Sequence, residues 1–191
     1  MKIRQEVRNV FENLVVEYCA PTMAGLKTGN LFTCPRNDDK QLAERLRIIN
    51  RSLVPHGIRL IPLKFYRDRV LLYMYRPDRL DRDLRDGTAQ QILSERNYPC
   101  ADSEKCLVKL RRQLAENKDF PHEIGLFLGY PSEDVEGFIS HGAKDAKCVG
   151  IWKVYGDRDA AEKKFAAYRK CTRLYCDAYK KHRSLDRLLV G

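Results

Sequence analysis

Apolar positions open the chain at Ile3, Val7, Val10 and Leu14, spaced by four, three and four, and Phe11, Val15 and Tyr18 widen the same face. That period predicts an amphipathic helix, with Pro21 expected to end it. Residues 20–35 then read as a loop holding a short strand at 31–33. Asp38 followed by Gln41 predicts a capped helix start, Leu42, Leu46, Ile49 and Leu53 supply its stripe, and Pro55 with Gly57 stops it. Residues 58–75 change period. Two runs rich in apolar, β-branched and aromatic residues flank a polar turn at 66–68 and predict a hairpin, with Pro62 placing its first strand at an edge or at a bulge.

Further on, Leu80 with Leu84, and Ile92 with Leu93, mark helical surface before Pro99, and a helix is expected from Ser103 to Glu116 around Leu107, Leu110 and Leu114. Residues 120–130 read as a short helix that is apolar nearly all round, with Pro121 in its first turn. Pro131 begins another helix turning Val135, Phe138 and Ile139 inward, and residues 147–155 read as a third strand. Asp157 caps a long final helix with its stripe at Ala161, Phe165, Tyr168, Thr172, Tyr175 and Tyr179. These elements predict one α+β domain over 1–191, a small, mostly antiparallel sheet packed with about six helices.

The chain of 191 residues carries 36 Lys and Arg against 26 Asp and Glu, a formal charge of +10. The last 35 residues hold ten basic and five acidic groups, and residues 96–156 are balanced. A basic excess of this kind draws nucleic acid, acidic lipid or phosphorylated ligands. No window approaches the roughly 20 apolar residues of a bilayer span, so no membrane partner is expected. Seven cysteines, an odd number, and a charged amphipathic N-terminus predict a reduced, cytoplasmic protein. Their spacings fit neither zinc nor iron–sulfur patterns, so no metal ligands are assigned.

Three segments, APTMAGLKTGNLF (20–32), FPHEIGLFLGYPSEDVEGFI (120–139) and GIWKVYGDRDAAEKKFAAYRKCT (150–172), together resemble a family of bacterial proteins, mainly from anaerobes, catalogued as a domain of unknown function. The resemblance runs through nearly the whole chain, and the middle segment is its most specific part. It implies no activity, cofactor or catalytic residue. What it does is single out segments whose chemistry can be examined residue by residue.

The segment 19–30 (CAPTMAGLKTGN) holds a thiol, two threonine hydroxyls, a lysine and two glycines. Glycines let backbone approach a ligand, so Lys27, Thr22 and neighbouring N–H groups form a candidate anion site, although the pattern is not a Walker A loop. Cys19, close to Lys27, is a candidate reactive thiol. His122 and Glu123 open the 120–130 helix, where unpaired N–H groups favour an anion and a neutral histidine able to act as acid or base or as a ligand to a metal or haem. Gly125 and Gly129, four apart, leave room on one helix face for a second helix or a flat cofactor. Lys153 and Tyr155 on the 147–155 strand offer a cationic, hydrogen-bonding wall, with Trp152 as a core anchor.

The expectation is therefore a cytosolic protein binding a small anionic ligand or an unidentified cofactor between 19–30, 120–130 and 144–157. His122 and Cys19 are its candidate catalytic groups, and Thr22, Lys27, Glu123, Lys153 and Tyr155 its binding groups. Whether it is an enzyme stays open. The alternative is an RNA- or DNA-binding module using the basic helix of 157–187, a helix whose aromatic stripe is expected to face inward and leave only phosphate contacts.

Overall fold

A computed structural model describes residues 2–36, 38–117 and 119–190, with side chains described from residue 10 onward. Eight α-helices and five strands are assigned among them: α1 (Lys2–Met23), β1 (Gly29–Pro35), α2 (Asp39–Leu53), β2 (Arg59–Phe65), β3 (Arg69–Tyr75), α3 (Pro77–Leu84), α4 (Gly87–Glu95), α5 (Ser103–Glu116), α6 (Ile124–Phe127), α7 (Ser132–His141), β4 (Cys148–Val149), β5 (Lys153–Val154) and α8 (Arg158–His182). The fold is α+β. Its chain divides into two compact units, Met1–Arg76 with Tyr168–Gly191, and Pro77–Ala167.

The first unit is built on an antiparallel sheet in the order β1-β3-β2. The hairpin expected at 58–75 is β2 and β3. Pro62 satisfies both readings of its position, because β2 is an edge strand and its register against β3 shifts between Pro62 and Lys64. The third strand of this sheet is β1, longer than the 31–33 stretch expected, pairing Gly29 with Tyr75 through to Pro35 with Arg69. Val70, Leu72 and Met74 of β3, Phe32 and Cys34 of β1, and Leu60 of β2 share a core with α1, α2 and the C-terminal end of α8. α2 follows its sequence signals: the Asp38 side chain accepts from Lys40 N, Leu42, Leu46, Ile49 and Leu53 are buried, and Gly57 at φ +67° closes the following 3-10 turn.

α1 departs from expectation twice. Its buried face is Phe11, Val15, Val16, Cys19, Ala20 and Met23, while Val10 is 62% exposed, so the face is turned by about one residue from the predicted stripe. Ile3 and Val7 lie outside the residues whose side chains are described. Pro21 does not end the helix; it lies inside the last turn, where it forgoes its own N–H bond while its carbonyl receives Leu26 N in the closure of the helix. In α8, the predicted stripe holds at Ala161, Phe165, Tyr168 and Tyr179, all buried, and Asp157 caps its start through Ala160 N at 3.0 Å.

The second unit packs α3 against α5 and α6, and α7 against α4, α6 and β5. Leu80 and Leu84, then Ile92 and Leu93, fall on two helices because Gly87, capped by the Asp86 carboxylate on Ala89 N, starts a new one. α5 spans Ser103 to Glu116 as predicted. The 120–130 segment folds differently: only Ile124–Phe127 is helical, and Gly129 sits beyond the helix at φ +71°. The 147–155 stretch is a separate two-stranded hairpin, Cys148 opposite Val154 and Val149 opposite Lys153.

Glycines in this unit mark close packing. A Cβ on Gly137, inside α7, would fall on the Tyr155 side chain, and one on Gly150 would strike the Phe165 ring. Helix propensity favours alanine over glycine by about 1 kcal/mol in a helix interior, whereas overpacking costs about 1–3 kcal/mol. Gly137→Ala is therefore expected to lower stability, measured as a reduced denaturant midpoint; an unchanged or higher midpoint would show that the Tyr155 contact yields.

Candidate functional site

The segment 19–30 is a helix terminus. α1 ends at Met23, Gly25 takes φ +68°, Leu26 N donates to Pro21 O at 2.8 Å, and Gly25 N donates to Thr22 O at 3.1 Å. This is the paired C-terminal closure that glycine in the left-handed region permits. Lys27 N also donates to Pro21 O at 3.1 Å. The N–H groups expected to cradle an anion are thus spent on the helix's own carbonyls. The Thr22 hydroxyl donates to Asn30 Oδ1 at 2.7 Å. Arg76 caps the negative end of α1, its Nε donating to Thr22 O at 2.8 Å and its Nη2 to Met23 O at 2.8 Å and to Val190 O at 2.6 Å; Nη1 reaches His56 O at 3.2 Å.

Beside this cap, Lys27 is 4% exposed and Cys19 fully buried. Burial pushes the Lys27 ammonium down to about 8, the Cys19 charge offsetting part of that. Burial likewise drives the Cys19 thiol far up, and Lys27 only partly opposes it. The activation expected for Cys19 is therefore reversed: desolvation outweighs the cation, and a neutral, enclosed thiol results.

In the second unit, Glu123 is buried in a hydrogen-bonded cluster. Its Oε1 lies 3.1 Å from the Tyr98 hydroxyl and its Oε2 lies 3.4 Å from Arg96 Nε, and Tyr98 also contacts Gln113. Burial first, and the Glu123 charge second, hold the Tyr98 phenol far above its ordinary range. Glu123 therefore anchors the segment from within. The room expected beside Gly125 is filled, because a Cβ there would lie 2.8 Å from Val135 Cγ2 and 3.1 Å from Tyr130 Cδ2.

His122, Lys153 and Tyr155 do come together around α7. The His122 ring meets Phe138 edge-on with centroids 5.0 Å apart, and Lys153 Nζ stands 5.7 Å from the centroid of the same ring. His122 is exposed and Lys153 half-buried. The Tyr155 ring stacks against His141 at 6.2 Å and its hydroxyl donates to Gly142 O. Desolvation, followed by the charges of Asp145 and Asp134, raises its pKa.

Asp134, which the sequence reading did not single out, organises this region. Its buried carboxylate accepts from Trp152 Nε1 at 2.7 Å through Oδ2, and from Tyr155 N at 2.7 Å and Gly156 N at 2.8 Å through Oδ1. Trp152, as expected, is a core anchor, between Tyr130 at 4.8 Å and Phe165 at 4.5 Å. Asp134 and Phe138 are one helical turn apart, and Lys153 lies between two residues bonded to Asp134. The carboxylate thus sets Lys153 against Phe138. One signal was available in sequence: Asp134 falls in the helical row of Pro131, Val135 and Phe138, where a charge needs partners. Among the described residues no group of three or more His, Cys, Asp or Glu side chains is gathered to hold a metal ion, and no helix is long and apolar enough to cross a membrane.

The class this fold defines is a small α+β protein with two compact units and an Asp134-centred cluster in the second. Residues 15–189 match the family described as "Protein of unknown function (DUF3793)", and the chain belongs to that family. No curated protein and no solved structure matches it.

Lys27 gives a pH test of the first unit. Its native pKa lies below the ordinary 10.5, so between about pH 8 and 10.5 the unfolded chain binds more protons and stability rises with pH. Relative to Lys27→Met, the wild type is expected to gain about 1 kcal/mol between pH 8 and 9; the buried thiols, which ionise in the unfolded chain over the same range, oppose this equally in both proteins and cancel from the comparison. Urea melts at both pH values measure this, and parallel behaviour of the two proteins would contradict the burial of a titrating amine.

Proposed function

We propose that this protein is a cytosolic binder of a small anionic ligand, recognised in the second unit by Lys153 and His122 at the Phe138 ring. The observation that carries the reading is their convergence on one ring from positions 31 residues apart in sequence. Lys153 supplies a charge and His122 a ring N–H, and the Asp134 bonds to Trp152 and Tyr155 hold the lysine's strand in place before any ligand arrives. Pre-organisation of this kind lowers the cost of binding. Seven free thiols support a reducing compartment. Tyr155 and Glu123 serve as internal supports in this reading, and Cys19, Thr22 and Lys27 belong to the interior and helix cap of the first unit.

Trp152, the single tryptophan and the neighbour of Lys153, is the reporter. Titration of the full chain with inorganic phosphate, a nucleotide and a dicarboxylate should change its fluorescence with at least one of them. A charge-assisted hydrogen bond is worth about 1.5–3 kcal/mol, so Lys153→Ala and His122→Ala should each weaken that binding about tenfold or more with an unaltered melting temperature. Binding that survives both substitutions, or no response to any of the three anions, overturns the reading.

A second reading rests on α8. From Lys163 to Cys176 its sequence contains no acidic residue, and Lys163, Lys164, Arg169, Lys170 and Arg173 are exposed. Its buried aromatics leave phosphate contacts only. Binding of a nucleic acid there should fall with salt at a log–log slope of about −0.7 to −0.9 per phosphate contacted and be insensitive to base sequence. Electrophoretic mobility shifts at two salt concentrations check this, and no shift in low salt excludes it.

A further inference from the structure

The turn between α4 and α5 places two cysteines on one short run of backbone. Cys100 Sγ lies 3.3 Å from Tyr98 O, and Cys106 Sγ lies 3.4 Å from Pro99 O, so both thiols point at carbonyls of consecutive residues. The chain between them is folded back on itself: Asp102 N donates to Pro99 O at 3.1 Å and Cys106 N to Asp102 O at 3.0 Å. Cys100 is half-buried and reachable from solvent, whereas Cys106 is 1% exposed. We propose that Cys100 and Cys106 are a thiol–disulfide pair, Cys100 the attacking and Cys106 the resolving sulfur, and that their bond makes the turn between α4 and α5 an oxidation-sensitive element.

Electrostatics agrees with that division of roles. Burial holds the Cys106 thiol up at about 11, and after burial the largest cause is the neighbouring Cys100, with Asp102 adding and Lys109 opposing. A thiol held in its protonated form by burial is the poorer first nucleophile, which leaves the first attack to the solvent-reachable Cys100. The other closely spaced pair cannot do the same. Cys171 and Cys176 are both in the continuous helix α8, where five residues separate them by about 7.5 Å along the axis and point them to different sides, outside disulfide reach.

The oxidant is a low-molecular-weight disulfide such as oxidised glutathione. The Cys100 thiolate attacks one of its sulfurs, the glutathione S–S bond breaks, and one glutathione leaves and takes up a proton. Cys106, deprotonated, then attacks the Cys100 sulfur of the mixed disulfide, forming the Cys100–Cys106 bond and releasing the second glutathione. Two protein thiols are oxidised, one glutathione disulfide is reduced, and both protons end on the glutathione thiols. The bond replaces the two thiol–carbonyl contacts and ties the turn to the first part of α5. That turn also carries Arg96 and Tyr98, the partners of buried Glu123, and the Arg96 and Asn97 carbonyls that receive Lys109 Nζ, each at 2.7 Å.

The test incubates the full-length protein with oxidised glutathione, blocks remaining thiols with N-ethylmaleimide, and maps tryptic peptides by mass. Lys105 separates the two cysteines, so peptides 97–105 and 106–109 become joined only if this disulfide forms. The expected result is that joined species, lost on reduction. Cys106→Ser should instead retain glutathione on Cys100, and Cys100→Ser should leave Cys106 unmodified in the native protein. A wild-type map showing glutathione on Cys100 with Cys106 still free, or either residue bonded to another cysteine, overturns the proposal, and that map decides even if a serine variant fails to fold.

Discussion

A single buried carboxylate, Asp134, carries the arrangement of the second unit. A charge taken out of water costs several kcal/mol unless donors replace the lost hydration, and here an indole N–H and two consecutive main-chain N–H groups do so. Because two of those donors are backbone, the partner of Asp134 is the path of the chain leaving β5. Turning the Asp134 side chain away would forfeit both main-chain bonds at once. The surroundings leave equally little freedom: Gly137 and Gly156 allow Tyr155 and Glu133 to close over the same region, a Cβ on Gly156 falling 2.6 Å from Glu133 Cγ. A small surface cluster therefore rests on a stiff interior, the arrangement that the proposed binding of a small ligand would call for.

The first unit uses the opposite charge in a similar way. Arg76 collects carbonyls from the end of α1, from the turn after α2 and from the C-terminal segment. A guanidinium with five donors in a fixed plane can serve several carbonyls at once, Thr22 O among them although it also accepts from Gly25 N. The helix closure at Gly25 and the clamp at Arg76 together explain why the 19–30 segment, rich in groups that bind anions in other proteins, is here committed to its own backbone.

Periodic features were legible and long-range polar ones were not. α2, α5 and the β2–β3 hairpin follow their apolar spacing and their caps, since each is specified within a few residues. Residues 147–155 differ from the single strand expected because alternation looks the same in one strand and in two short strands around a tight turn, and the turn closes at Gly150, whose N–H donates to Trp152 O at 2.9 Å and which leaves room for the Phe165 ring. Residues 120–130 misled because their apolar content reflects burial by neighbours, while Gly129 at positive φ stops the helix early. His122 and Lys153 were recognised as chemically capable, yet Phe138, the ring on which they meet, read only as core. Asp134 and Arg76 act through partners 18 or more residues away in sequence, and such pairings leave no local trace beyond a charge in an awkward place.

The irregularity at Pro62 reaches beyond the fold of one chain. An edge strand with unpaired N–H and C=O groups is a template on which another chain can add, and proteins blunt such edges with prolines and bulges. β2 has both within three residues: Pro62 offers no N–H on either side, and Leu63 interrupts the even ladder before Lys64 resumes it. Copies of this protein meeting along β2 would find no continuous run of hydrogen-bonding groups, so of the two edges of the sheet this one is a poor template for strand addition.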